Sequence, residues 1–293
     1  MGLVNSQLIR RNCDDGSLSL WPEVGESARH ATTEVEQMEF ETVLYDVADH
    51  VATVTLNRPQ ALNSFTQQMC DEFSEIWKRV REDDDIHVVV LRAAGDRAFC
   101  TGVDVKDGID IHDNVWSQRD PGEQLSPKLN QVWKPVVCAV HGMAAGGAFY
   151  WINESDIVIC SDDASFFDPH VTYGMTSALE PIGLARRIPL GEVLRWALLG
   201  NDERMSPKRA LEIGLVSEVV TRDRLWDRAA ELAAQIAAKP AVAIQGTVRA
   251  IWESLDSTRS QALRQGLSYT QLGNPIGKAQ VDRASVGRKW EMR

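Results

Sequence analysis

The sequence lacks the patterns of several large functional classes. It has no apolar run of about 18 residues and no apolar N-terminal segment, so it predicts neither a membrane span nor a secretory signal. It also lacks the motifs GxxxxGKS/T, GxGxxG, HExxH and GxSxG, and its 6 histidines show no metal-ligand spacing. These absences disfavour nucleotide hydrolysis, dinucleotide binding, zinc catalysis and an α/β-hydrolase nucleophile, and we expect no bound metal.

The net charge and the cysteine pattern indicate which binding partners and which cellular compartment to expect. The 293 residues carry 31 basic and 42 acidic side chains, and the net charge of −11 disfavours non-specific binding to nucleic acid. The 5 cysteines form no CxxC pair, and Cys138 and Cys160 lie in apolar, strand-like runs that are typical of reduced, buried thiols. We therefore expect a cytoplasmic protein without nucleic-acid or membrane partners.

Hydrophobic periodicity predicts an α/β protein with three regions. Residues 1–38 show no clear periodicity and predict a flexible N-terminal extension. Residues 39–220 alternate strands with helices, whereas residues 221–293 have a helical pattern. Strands are predicted at 41–48, 50–56, 87–92, 136–140, 157–161 and 216–220. Helices are predicted at 66–81, 192–199, 206–213, 223–238, 240–255 and 258–272, with a loop over a site at 105–130.

Two glycine-containing turns carry the strongest functional signal. In residues 136–150 a buried strand leads to Gly146 and Gly147, whose backbone N–H groups are uncovered at the start of a helix. Such a turn builds an anion or oxyanion site from main chain alone. A second turn, at residues 97–104, also follows a buried strand. One turn alone also fits close packing of a helix on a strand, but two together favour a site.

Five segments, in order, resemble motifs of the crotonase (enoyl-CoA hydratase/isomerase) superfamily over residues 40–293. They are 57–64 (N-R-P-x-A-L-N), 99–104 (F-C-A-G-x-D), 134–147 (K-P-V-I-A-A-V-x-G-x-A-x-G-G-G), 155–157 (C-D-I) and 205–216 (I-S-A-x-E-A-x-x-x-G-L-V). The resemblance implies a β-β-α spiral core, a helical C-terminal trimerisation region, and homotrimers or dimers of trimers. It also implies an acyl-CoA thioester substrate, with no cofactor beyond the coenzyme A that the substrate carries.

The resemblance assigns binding roles to individual residues. The N–H groups of Val103 and Gly147 would hold the thioester oxygen, because stabilising a thioester enolate requires two donors aimed at one oxygen. The coenzyme A path would be lined by Ala61, Leu62, Ala98, Gly102, Asp104 and Gly146. Arg58, Arg97 and Lys106 are candidate phosphate partners, although an ordinary solvated charge fits each of them equally well.

The acid/base positions depart from the family pattern. The two glutamates of the family's hydratases align with Tyr150 and His170. An imidazole titrates near neutral pH, so His170 is the predicted proton carrier. Tyr150, with a reference pKa of about 10, is a poor base and is predicted to donate a hydrogen bond or to shape the pocket. Glu180, in the predicted loop 177–181, is the first candidate for a compensating acid. There are two alternatives to Glu180. Glu154 could supply the acid, although it also fits a buried structural role, and Asp168 could act as a partner of His170.

Three functions fit this pattern. The first is a hydratase or isomerase type of reaction that uses the oxyanion hole and His170. The second, decarboxylation or hydrolysis of a β-dicarbonyl thioester, needs enolate stabilisation but less acid/base equipment. The third is a catalytically silent acyl-CoA-binding protein. The sequence does not specify the acyl group of the substrate. Four tryptophans could line a bulky pocket, but they fit the core or an interface as well: Trp116, Trp133, Trp151 and Trp196.

Overall fold

The computed structural model describes residues 40–110, 112–284, 286–287, 290 and 292. The extension predicted for residues 1–38 lies outside the described residues. The strands are β1 (Val43–Ala48), β2 (Val51–Leu56), β3 (Val88–Ala93), β4 (Ala98–Cys100), β5 (Val136–Val140), β6 (Met143–Ala145), β7 (Ile157–Ser161), β8 (Ser165–Phe167) and β9 (Glu218–Val220). The helices are α1 (Gln67–Glu82), α2 (Gly122–Leu125), α3 (Phe149–Glu154), α4 (Leu179–Leu184), α5 (Leu190–Leu199), α6 (Pro207–Glu212), α7 (Leu225–Ala237), α8 (Ala241–Ser254) and α9 (Arg259–Ala279).

The strands form two sheets. The larger has the order β1-β2-β3-β5-β7-β9, and the smaller has the order β4-β6-β8. Strands β1 and β2 are an antiparallel hairpin closed by Asp49 and His50, both with positive φ, as a two-residue hairpin turn requires. All other strand pairs are parallel. The α/β fold predicted from the sequence is confirmed.

The large sheet separates two apolar layers. Alternate residues of a strand point to opposite faces, so Val89 and Leu91 join one layer and Val88 and Val90 join the other. The first layer includes the apolar side chains of α1, a helix that begins after the N-cap Thr66. The second layer is closed by α7, through Leu225, Ala229, Ala233 and Ala237. The continuous apolar strands seen in the sequence are therefore buried on both faces.

Several elements differ from the sequence prediction. The strands β4, β6 and β8 were missed because runs of three residues show no measurable periodicity. Helix α4 replaces the predicted loop at 177–181. Helix α9 continues beyond residue 272, through Gly273 and Pro275, because it packs closely on α8. A Cβ at Gly277 would lie 3.5 Å from the Cβ of Ala243, so the glycines allow the two helices to approach.

Candidate active site

The two glycine turns lie side by side at one end of the small sheet. Strands β4 and β6 run parallel, so the turns that follow them leave the same edge. The first turn passes through Gly102, with φ of 87°, and the second through Gly146, with φ of 51°. A Cβ at Gly102 would lie 3.2 Å from the backbone nitrogen of Gly147. The predicted pairing of the two turns in space is therefore present.

Backbone contacts orient Val103 and Gly147. The N–H of Phe65 donates to the carbonyl of Gly102 (2.9 Å), and its carbonyl accepts from Asp104 (2.8 Å), so Val103 is held between two fixed peptides. Among the described residues, the N–H of Val103 has no backbone acceptor. Gly147 lies in the first turn of a short 3₁₀ helix (Gly146–Ala148), where N–H groups have no acceptor within the helix. A Cβ at Gly147 would lie 2.5 Å from Cε1 of Phe65, so only glycine fits there. The result is a pair of available backbone donors beside an aromatic ring.

His170 lies against the second glycine turn. Strand β8 pairs in parallel with β6, which brings the segment after β8 next to Gly146. A Cβ at Gly146 would lie 3.4 Å from Cε1 of the His170 ring. The Nδ1 of His170 bonds the carboxylate of Asp168, a fully buried residue that also accepts from the Ser177 hydroxyl and the His170 N–H. Asp168 therefore orients the imidazole, and its pairing with His170, an alternative in the sequence, is present.

This contact shifts the pKa values of both partners. The hydrogen bond to Asp168 raises the pKa of His170 above its ordinary value, and burial opposes the shift. Burial alone would raise the pKa of Asp168, but the hydrogen bonds from His170 and Ser177 outweigh it and lower that pKa. The pair therefore favours a carboxylate next to an imidazole with strengthened basicity.

Glu180 faces the other side of the imidazole. It lies in the first turn of α4, and its Oε1 is 3.9 Å from the Nε2 of His170. Only 5% of the residue is exposed, and burial raises the pKa of its carboxyl group. The separation exceeds a direct hydrogen bond, but both atoms can contact one small group placed between them.

Tyr150 borders the glycine turn from helix α3. Its ring packs edge-on against Phe65 and against Gly122, where a Cβ would lie 2.5 Å from two ring carbons. Burial, the charge of Glu180 and a hydrogen bond to Asp120 raise the pKa of the phenol far above its ordinary value. Tyr150 therefore stays neutral, and its hydroxyl group can donate a hydrogen bond. Sequence reasoning missed Asp120, because it lies in an irregular loop without any periodic signal.

Five of the predicted coenzyme A residues lie in or beside the first turn, and the sixth, Gly146, lies in the second. Ala61 and Leu62 lie in a tight turn that the Asn63 side chain ties to the carbonyls of Ala94 and Ala98 (both 2.9 Å). Arg58 forms an ion pair with Asp104 (3.0 Å), and this pair links the turn at Ala61 and Leu62 to the first glycine turn. The candidate phosphate partners Arg97 and Lys106 are both exposed.

The remaining predicted residues have structural surroundings. Glu154 accepts from the N–H groups of Lys128 (2.8 Å) and Leu129 (3.2 Å), which fits a structural acid. Trp151 and Trp196 are buried in the core, Trp116 is exposed, and Trp133 lines a cavity beside Tyr150. The cysteines at 70, 100, 138 and 160 are free and buried, as predicted for 138 and 160.

The described ranges contain neither a candidate metal site nor a helix that could span a membrane. No group of three or more His, Cys, Asp or Glu side chains in these ranges is placed to hold a metal ion. Among the same residues, none of the helices combines the length and apolarity needed to cross a bilayer.

Comparison with known proteins gives one consistent result. The family model for Enoyl-CoA hydratase/isomerase matches residues 46–274. An (E)-benzylidenesuccinyl-CoA hydratase from Thauera aromatica is 36% identical over 233 residues, covering 78% of this chain and 88% of that protein. The 1,2-epoxyphenylacetyl-CoA isomerase of Escherichia coli K12 is 33% identical over 244 residues, covering 80% and 90%. The crystal structure of an enoyl-CoA hydratase/isomerase from Mycobacterium paratuberculosis superposes with a TM-score of 0.75 at 36% identity, covering 85% of this chain and 94% of that one.

Proposed function

Because the chain belongs to the enoyl-CoA hydratase/isomerase family, we propose that it stabilises an acyl-CoA thioester enolate between two backbone N–H groups and moves protons with His170. The N–H groups of Val103 and Gly147 hold the thioester oxygen as it gains negative charge. Each such donor contributes roughly 3 kcal/mol to transition-state stabilisation. No cofactor is needed apart from the coenzyme A of the substrate.

The proposed proton carrier is the imidazole of His170. In a hydration, its Nε2 takes a proton from a water whose oxygen bonds to Cβ of an enoyl thioester, and the C=C electrons move to the thioester oxygen. Collapse of the enolate then takes a proton at Cα from the imidazolium of His170, directly or through the carboxyl group of Glu180, and this returns His170 to its neutral form. In an isomerisation, His170 takes a proton from one carbon and returns it to another. Tyr150 and Asp120 orient the acyl chain beside them.

One observation carries this proposal. His170 lies beside Gly146 while its Nδ1 is bound to buried Asp168, so its Nε2 remains for the substrate. Fixing one imidazole nitrogen on a carboxylate sets the tautomer and the ring orientation of a general base. The missing glutamates of the family pattern therefore do not leave the site without a base.

Exchange of α-protons tests the proposal. Butanoyl-CoA incubated with the protein in D₂O is expected to exchange its α-protons, read by mass spectrometry, because exchange requires the enolate but no particular final reaction. Binding of the thioester without exchange would support the silent acyl-CoA-binding alternative. The decarboxylase or C–C hydrolase alternative predicts a different pattern. It would be supported if the protein exchanges α-protons and decarboxylates or cleaves β-dicarbonyl thioesters, but neither hydrates nor isomerises enoyl thioesters.

We also propose that the chain assembles as a homotrimer or a dimer of trimers. Helices α8 and α9 bury almost no side chain within the chain, and α5 exposes a stripe of leucines at spacings of four residues: Leu190, Leu194 and Leu198. Exposed apolar stripes of this kind mark protein interfaces. Sedimentation at several concentrations tests the assembly, and a monomer throughout would contradict it.

A further inference from the structure

A cavity of about 330 Å³ lies beside Tyr150, the side chain that also borders the glycine turn. The two are connected by one side chain: Cε2 of Tyr150 is 3.4 Å from a Cβ placed on Gly147, and Tyr150 also lines the cavity. A thioester whose oxygen meets the Gly147 N–H can extend its acyl chain past Tyr150 into this space. The volume lies at the lower end of the range for small-molecule pockets, about 300–1,000 Å³, and exceeds what a four-carbon chain fills.

The cavity wall is rich in aromatic side chains. Tyr150 comes from α3, Trp252 comes from α8, and Trp133 comes from the segment before β5, while the fully buried Phe149 of α3 lies behind them. Rings packed edge-on or offset against other rings gain roughly 0.5–1.5 kcal/mol beyond area burial. The wall is also held in place, because Trp252 donates its indole N–H to Asp156 (2.6 Å) and lies under the ammonium of Lys128 (5.5 Å). Its polar edge is satisfied inside the protein, which leaves apolar ring surface for a ligand.

The charges around the cavity oppose an anionic acyl group. Its two cations are already paired, Lys128 with Asp156 (2.8 Å) and Arg186 with Asp256 (2.9 Å). The other acidic side chains that line it are Asp120, Glu154 and Glu253. A second carboxylate on the substrate would therefore enter a site without a free cation among the described residues that line it, which is costly in a partly buried place.

We propose that this cavity makes the enzyme selective for acyl-CoA thioesters whose acyl group carries an uncharged aromatic ring. The inference rests on the proposed function, since it assigns the substrate class of the same site. The ring occupies the space between Trp133 and Trp252, and the acyl carbons next to the thioester pass Tyr150.

Exchange of α-protons in D₂O compares the substrates without requiring the final reaction to be known. We expect kcat/KM for 3-phenylpropanoyl-CoA to exceed that for butanoyl-CoA by at least about tenfold. We expect 3-(4-carboxyphenyl)propanoyl-CoA to fall at least about tenfold below its neutral counterpart 3-(4-methylphenyl)propanoyl-CoA. Dissociation constants from calorimetry for the same four thioesters provide a second readout of the same selectivity.

A variant that fills the cavity tests its location. Leu129 lines the cavity and is 59% exposed, so Leu129→Trp adds volume there without straining the core. The variant is expected to reduce the preference for the phenyl substrate to about twofold or less. Leu44→Trp, on the edge strand β1 and 51% exposed, is the matched control and is expected to keep the wild-type ratio.

The outcomes separate the two proposals. Equal or better use of butanoyl-CoA by the wild type, or an unchanged ratio in Leu129→Trp, would overturn the selectivity and leave the proposed function standing. Tight binding of the phenyl thioester without any exchange would overturn the catalytic proposal and keep the cavity assignment. Absence of both binding and exchange for all four thioesters would overturn both.

Discussion

The two halves of the candidate site are built in different ways. The half around Val103 and Gly147 is main chain, held by the parallel strands β4 and β6 and by the contact with Phe65. The other half is made of side chains, His170, Asp168 and Glu180, from the segment after β8 and from α4. Main-chain donors keep their chemistry whatever side chains surround them, whereas a catalytic side chain can be exchanged for another. In the proposed function, the first half therefore defines what is stabilised, and the second half defines how protons move.

The largest effect is expected from the side-chain half. His170→Ala removes the proposed base and is expected to lower kcat/KM for α-proton exchange by roughly 10²–10⁴-fold, with little change in thioester affinity. His112→Ala, at an exposed loop position, is the matched control. Unchanged turnover in His170→Ala would remove this residue from the mechanism. Only the main-chain half of the proposed site would then remain.

The main-chain half is tested at Gly147. A Cβ there lies 2.5 Å from Phe65, so Gly147→Ala displaces the backbone donor and is expected to lower kcat by roughly 10²–10³-fold. Gly191→Ala is the control, because nothing lies within 4 Å of its added Cβ. Steady-state kinetics with circular dichroism of both variants separates a lost donor from lost folding. Wild-type kcat in a folded Gly147→Ala variant would contradict the oxyanion-hole assignment.

The coupling of Asp168 to His170 predicts a pH effect. A neutral imidazole is needed to accept a proton, so activity rises with pH through the pKa of His170, which Asp168 holds above the ordinary 6.5. Asp168→Asn removes the cause, so the acidic limb of the kcat/KM profile is expected to move to lower pH while the plateau falls by roughly 10-fold or more. Asp162→Asn, at an exposed position, is expected to leave the profile in place. A limb that stays or moves to higher pH would contradict this coupling.

The smallest effect is expected at Tyr150. Tyr150→Phe keeps the ring contacts with Phe65 and Gly122 and removes only the phenol hydroxyl group. We expect less than about a tenfold loss of kcat/KM and no change in the limbs between pH 6 and 9, since the raised pKa keeps the phenol neutral there. A larger loss, measured by the same exchange assay, would indicate that Tyr150 carries a proton. The role of proton carrier would then pass from His170 to this residue of helix α3.

The sequence predicted correctly those elements that local interactions stabilise, and it missed those that depend on contacts between distant segments. The hairpin, α1 and the buried parallel strands were predicted because their residues carry local periodicity and local caps, such as Thr66 before α1. The short strands β4, β6 and β8 were not, since a run of three residues exists as a strand only through its partners. Helix α4 was missed for a related reason: Pro181 and Gly183 weaken its helical signal, and Gly183 packs against Asn153.

The sequence by itself determined the family, the two glycine turns and the identity of the residues at 150, 170 and 180. Those features depend on short motifs, and glycine is required wherever a side chain would strike a neighbour. Only the tertiary structure decided that Asp168 binds His170, that Glu180 faces the imidazole, and that Asp120 and Trp252 approach Tyr150's side of the cavity. These contacts join segments that are distant in the chain or lack periodic patterns, so they arise only when the parallel strands and the C-terminal helices pack together.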